Sequence, residues 1–82
     1  MKLCELCQIE IQGNIEVRLL DYDNEVVDSD YFEGVEWLST QMGKLPDWED
    51  YEVIHIYSEL FVRKYPNSQV SIPYLVIEIK PE

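Results

Sequence analysis

Three stretches of this chain alternate apolar and polar residues with a period of two. Ile15, Val17 and Leu19 alternate with Glu16 and Arg18; between Tyr51 and Leu60, Ile54, Ile56 and Ser58 fall on one side and Val53, His55 and Tyr57 on the other. From Ile72 to Ile79, Leu75, Ile77 and Ile79 share one side, with Tyr74, Val76 and Glu78 opposite. Successive strand side chains point to opposite faces of a sheet, so each stretch reads as a half-buried strand. Asp21-Tyr22-Asp23-Asn24 supplies turn chemistry after the first, and Glu25 to Tyr31 returns as the second arm of a hairpin. Four strands in 82 residues leave room for one domain, 1–82, and little else.

The remaining segments carry helix and loop signals. Leu3, Leu6 and Cys7 at i, i+3 and i+4 predict a short helix over 2–10, against a competing strand at Ile9-Glu10-Ile11 that turns at Gly13-Asn14. Val35, Leu38 and Met42 fit a second short helix that stops at Gly43. Pro46-Asp47 marks a turn, and Arg63 to Ser71, with Pro66-Asn67-Ser68, reads as a polar loop. The fold expected is α+β: a small four-stranded, mainly antiparallel sheet with one or two short helices on one face. Its core is expected to hold Leu3, Leu6, Val17, Leu19, Leu38, Ile54, Ile56, Leu75, Ile77 and Ile79, and truncating either Ile56 or Ile77 to Ala is expected to cost roughly 2–5 kcal/mol.

Charge is the abnormal composition. Seventeen Asp and Glu against six Lys and Arg leave −11, which excludes direct binding to a phosphate backbone and disfavours an anionic membrane surface. Residues 21–52 hold Asp21, Asp23, Glu25, Asp28, Asp30, Glu33, Glu36, Asp47, Glu49, Asp50 and Glu52 against Lys44 alone, so ten of the eleven net charges sit there. A one-sided field of this kind steers basic partners, whereas an even spread would serve solubility only. Residues two apart on a strand share a face about 6.8 Å apart. Asp28 and Asp30 meet that condition, and Asp21, Asp23 and Glu25 meet it wherever the backbone is extended. Carboxylates so spaced resemble a row of phosphates to Arg and Lys. The interleaved Tyr22, Tyr31, Phe32, Trp37, Trp48 and Tyr51 are large rigid anchors, some of which must fill the core.

Enzymatic and metal chemistries find little support. Cys4-x-x-Cys7 is half a zinc set, with His55 the sole further soft ligand; small apolar residues on a helix, an intersubunit metal or disulfide, and a redox pair stay open in that order. A calcium loop counted from Asp21 would need Gly at its sixth position and Glu at its twelfth, where Val26 and Phe32 stand. His55 has no nucleophile in a recognisable setting, and Gly13, Gly34 and Gly43 are isolated, so no phosphate loop exists. No catalytic residue, cofactor or metal is assigned. The opening, Met1 to Cys7, has an acid at position five and does not fit a signal peptide, and a cytoplasmic location with reduced thiols is expected.

Ile15-Glu16-Val17-Arg18-Leu19-Leu20-Asp21, Tyr31-Phe32-Glu33-Gly34, Asp50-Tyr51-Glu52-Val53 and Leu75-Val76-Ile77-Glu78-Ile79 give the chain a recognisable pattern. It resembles small acidic proteins encoded by phages and conjugative elements of Gram-positive gut bacteria, anti-CRISPR proteins among them. Some of those inhibit host nucleic-acid enzymes by occupying basic grooves. The resemblance implies a non-enzymatic inhibitor or nucleic-acid-mimic decoy in the bacterial host cell. Its partner-binding residues would be Asp21, Tyr22, Asp23, Glu25, Asp28, Asp30, Glu33, Glu36, Asp47, Trp48, Glu49 and Asp50. The alternative is a structural or adaptor protein of such an element, as a single chain or a homo-oligomer, binding through the aromatic and apolar face of Val53, His55, Tyr57, Tyr74 and Val76.

Overall fold

A computed structural model describes residues 1–7, 13–33 and 45–81. The order of elements is α1 (Leu3–Leu6), β1 (Asn14–Leu20), β2 (Val26–Glu33), α2 (Leu45–Trp48), β3 (Glu52–Tyr65) and β4 (Ser68–Lys80). The strands form one sheet in the order β2-β1-β4-β3. β1 pairs antiparallel with β2, and β3 pairs antiparallel with β4. The two hairpins join through a parallel pairing of β1 with β4, in which Ile15, Val17 and Leu19 face Leu75, Ile77 and Ile79.

The sheet is therefore mixed, where a mainly antiparallel one was expected, and among the described residues helix is confined to two four-residue pieces. Alternation fixes which residues are strands and which faces they present; it carries no information on the direction of a neighbour far away in sequence. The predicted helix over 2–10 is seen as Leu3–Leu6, and its last residues lie outside the described ones, as do the competing strand at Ile9–Ile11 and the predicted helix from Val35 to Met42. Pro46-Asp47, read as a turn, lies within α2.

The core fills one face of the sheet. Ile15, Val17, Ile77 and Ile79 on the two central strands are fully buried, with Phe32 from β2, Leu3 and Leu6 from α1, and Trp48 from α2. Leu19, Leu75, Val53, Tyr51 and Cys7 pack against this cluster. α1 is docked by backbone bonds from Leu3 N–H to the Tyr51 carbonyl (3.0 Å) and from Cys4 N–H to the Glu49 carbonyl (2.8 Å). Two expected core residues are not in it: Ile54 is 39% exposed and Ile56 48%. Both lie on β3, an edge strand, with a β-bulge between Val53 and His55. Alternation reports a face, whereas burial also requires a neighbour on each side. Leu38 lies outside the described residues.

The largest departure from expectation is the segment read as a polar loop. Arg63 to Ser71 is strand except for the Pro66-Asn67 turn, and the β3–β4 ladder runs unbroken from His55↔Glu78 to Tyr65↔Ser68. β1 reaches along β4 only to Tyr74, so Leu60–Tyr65 and Ser68–Pro73 continue beyond it as a two-stranded arm. Two strands pair the inward-pointing half of each other's backbone groups without a core, and Phe61, Val62, Val70 and Ile72 favour the pleated conformation.

Candidate functional site

The acidic residues divide between two places. At one end of the sheet, the β1–β2 turn lies level with the end of β4, because Leu19 pairs with Ile79 and Lys80 pairs with Glu52 at the start of β3. Asp21, Tyr22, Asp23 and Glu25 are thereby brought to the end of the sheet where Glu49 and Asp50 lead into β3 at Glu52, the β1 and β3 backbones standing about 10 Å apart across two inter-strand spacings. Tyr22 stands at the tip of the turn, 86% exposed, and Asp23, Glu25, Asp47, Glu49 and Asp50 are all exposed. Chain segments some thirty residues apart thus share one field.

The turn is built by Asp21 itself. Its carboxylate accepts the N–H groups of Asp23 (2.8 Å) and Glu25 (3.0 Å), and Asn24 takes a left-handed conformation, φ 64°. That arrangement is an Asx-type turn, which Asp and Asn stabilise through their short side chains. It is the hairpin turn expected, and it means Asp21, Asp23 and Glu25 do not form an extended ladder. Glu52 is also engaged, accepting a bond from the N-terminal ammonium at 2.7 Å.

Asp28 and Asp30 do share a face of β2, but they stand opposite Leu19 and Val17, on the side of the sheet that bears the core, and are half-buried. Each accepts the N–H of the next residue, Ser29 at 2.9 Å and Tyr31 at 3.0 Å. Glu33 pairs with Asn14 at the opposite end of the sheet, and Glu36 lies outside the described residues. Trp48, expected among the partner-binding residues, is 5% exposed and belongs to the core. An aromatic residue beside acids in sequence is drawn inward when its helix packs on the sheet, and here the small domain has few other bulky groups to fill that space.

The other face of the sheet holds a polar network around Arg18 that sequence patterning had treated only as one step of an alternation. Its guanidinium forks onto Glu16 (Nε to Oε1 2.9 Å, Nη2 to Oε2 3.2 Å), and Nη2 also reaches Glu59 Oε2 at 3.0 Å. It donates to the Tyr57 hydroxyl at 3.1 Å and the Tyr74 hydroxyl at 3.3 Å, while Tyr74 donates to Glu59 at 2.6 Å. The fork on Glu16, then the bond to Glu59, hold the guanidinium protonated beyond its usual range. The Tyr74 hydroxyl, and next Arg18, keep the Glu59 carboxyl below the usual carboxylate range. Bonding to Glu59 in turn pushes the Tyr74 phenol up, and burial raises that of Tyr57. A signal existed: Glu16 at i−2 shares Arg18's face, and Tyr57, Glu59 and Tyr74 occupy the matching face of the two other strands.

The face once considered for an adaptor role is thus largely committed within the molecule. Val76 is fully buried, Tyr57 and Tyr74 bond Arg18, and His55 Nδ1 lies 3.2 Å from Glu78 Oε1. Beside it, an open cleft of about 780 Å³ is lined by Glu16, Tyr31, Phe61, Arg63, Ile72 and Tyr74, among others. Ser29 is part of that lining, with no histidine there to activate it.

Cys4 and Cys7 are free thiols, both partly buried. Burial, with Cys4 and Glu49 adding, pushes the Cys7 thiol up to about 11, against the direction a reactive cysteine needs. Among the described residues no three His, Cys, Asp or Glu side chains converge to hold a metal ion, and no helix is long and apolar enough to cross a membrane. No protein-family model, no curated protein and no solved structure matches the chain.

Proposed function

We propose that the protein is a non-enzymatic binding protein whose acidic sheet end captures the basic groove of a nucleic-acid-binding protein, as an inhibitor or decoy. The observation that carries this reading is the convergence of Asp21–Glu25 with Glu49–Glu52, which the pairing of β1 and β3 with β4 produces. Four of these carboxylates, Asp23, Glu25, Glu49 and Asp50, are exposed. Tyr22 projects among them as an aromatic anchor. Carboxylates held on turns and strand ends meet arginine forks at little ordering cost, because the scaffold has already fixed their backbone. The resemblance to mobile-element proteins supports the same class of partner.

The test is charge removal at constant shape. Asp23→Asn, Glu25→Gln, Glu49→Gln and Asp50→Asn together leave Asp21, which holds the turn, and Glu52, which holds the N-terminus. Proteins captured from a host lysate at low and at high salt identify the basic partner. Against it, the quadruple variant is expected to associate more slowly and with a weaker salt dependence. Matched neutral changes at Asp28 and Asp30 are expected to do less. Affinity unaltered by the quadruple substitution would remove the acidic end from the function.

A further inference from the structure

The β3–β4 arm differs from the rest of the chain in charge and in exposure. Residues 60–73 contain Arg63 and Lys64 and no acid, so the net −11 is the sum of +2 on the arm and −13 elsewhere. Leu60 is 64% exposed and Phe61 50%, with Val62, Tyr65 and Val70 also open. β3 is an edge strand: the backbone around residues 1–3 meets its outer side at Tyr51–Val53, and beyond Ile54 no described strand covers that side. A long, regular, apolar edge is a template for another strand, which native proteins normally blunt or use.

The sequence of that edge is self-complementary in one register. An antiparallel pairing of two copies about a two-fold axis at Phe61 sets Phe61 opposite Phe61, Glu59 opposite Arg63, and Tyr57 opposite Tyr65, all on one face. On the other face Leu60 meets Val62, and Ser58 meets Lys64. Moving the axis by one residue places Glu59 opposite Phe61 or Tyr65 and leaves Arg63 facing Tyr57 or Phe61, with no carboxylate across from it. Arg63 and Lys64 form no ion pair among the described residues; Arg63 lies over the Phe61 ring, 5.7 Å from its centroid. Glu59 remains accessible at 38% while it bonds Arg18 and Tyr74, and its second oxygen can accept from another guanidinium.

We propose that the outer edge of β3 is a self-association surface on which a second copy of this chain pairs antiparallel about Phe61, opposing Glu59 of each copy with Arg63 of the other. The result is a continuous eight-stranded sheet with both cores on the same side and the two acidic ends pointing away from each other. Opposed aromatic and opposite-charge pairs are the units that stabilise such a seam. The acidic-end reading is independent of this one, and the quadruple acidic variant is expected to leave the association intact.

Sedimentation of the whole chain over a wide concentration range is expected to show a reversible monomer–dimer equilibrium. Arg63→Glu sets like charges opposite each other at two symmetric positions and is expected to raise the dimer dissociation constant by about tenfold or more, with an unchanged circular dichroism spectrum. In a Cys4→Ser, Cys7→Ala background, Phe61→Cys is expected to form an intermolecular disulfide on mild oxidation. Directly opposed residues have Cα atoms about 4.5 or 5.5 Å apart, inside the span a disulfide bridges. Val70→Cys, on the arm but on β4, is expected to stay reduced. A chain that is monomeric throughout overturns the proposal. So does a dimer that Arg63→Glu leaves untouched and Phe61→Cys fails to link.

Discussion

β4 is one strand in two environments. From Tyr74 to Ile79 it lies between β1 and β3, and Val76, Ile77 and Ile79 are buried. From Ser68 to Pro73 it has β3 alone beside it among the described strands, and Val70 is 44% exposed. The apolar residues also change sides: Leu75, Ile77 and Ile79 share the core face, whereas Val70 and Ile72 fall on the opposite face and leave Gln69 and Ser71 on the core side. The third strand completes the difference, because β1 supplies the flank against which the core layer of α1 and Trp48 can seat. Backbone pairing makes a strand, and a second neighbour with a covering layer makes it a core.

The largest effect expected from this contrast is at Ile77. Ile77→Ala removes a fully buried side chain and is expected to cost about 2–5 kcal/mol in urea unfolding, whereas Ile56→Ala, opposite it on the edge, is expected to cost about 1 kcal/mol or less. Equal costs would break the comparison, because they would place both strands in the same core. A smaller loss is expected at the junction of the two environments. Arg18→Met keeps the apolar stem but leaves Glu16 and Glu59 facing each other without a cation, at about 1–3 kcal/mol. No loss there would mean that the polar face contributes nothing to joining arm and body.

The same network sharpens the comparison through pH. Glu59 is held ionised below the usual carboxylate range, so its contribution to stability is present above that range and is lost as pH falls through its depressed folded value. Carboxyl-carbon NMR titration is expected to show the Glu59 midpoint rising in Tyr74→Phe and also in Arg18→Met. The least change is expected at Cys7, on the covered side. Its thiol, raised to about 11, is expected to react with iodoacetamide at an appreciable rate only as pH approaches that value. Rapid alkylation near neutrality would mean that the seating of α1 on the sheet is loose.

Much of the body was legible in the sequence, and the arm was not. Ile15 to Leu19 and Leu75 to Ile79 announce strands because their pattern matches the pleat, and Asp21-Tyr22-Asp23-Asn24 announces a turn because its side chains can bond the backbone they belong to. Arg63 to Ser71 misled because charged and polar residues on a two-stranded ribbon have no buried face to declare themselves against. The candidate site was legible in composition and not in geometry. Asp23 and Asp50 come to the same end of the sheet through strand pairing, which no local pattern encodes, while Trp48, close to the same acids in sequence, is turned inward. Arg18 was hidden for a related reason, since its partners come from three strands.

The parallel seam between β1 and β4 also sets the order of folding events. Each hairpin closes over a short stretch of chain and can form by itself in microseconds. Ile15 meets Leu75 only after the 59 residues between them have been gathered, and no buried contact between the hairpins exists until then. Joining them is thus the slow step, and the transition state is expected to contain Val17 and Ile77 in contact while Leu60 and Val70 have no influence on the rate. The arm, last to matter for the core, is free throughout that search to find another chain.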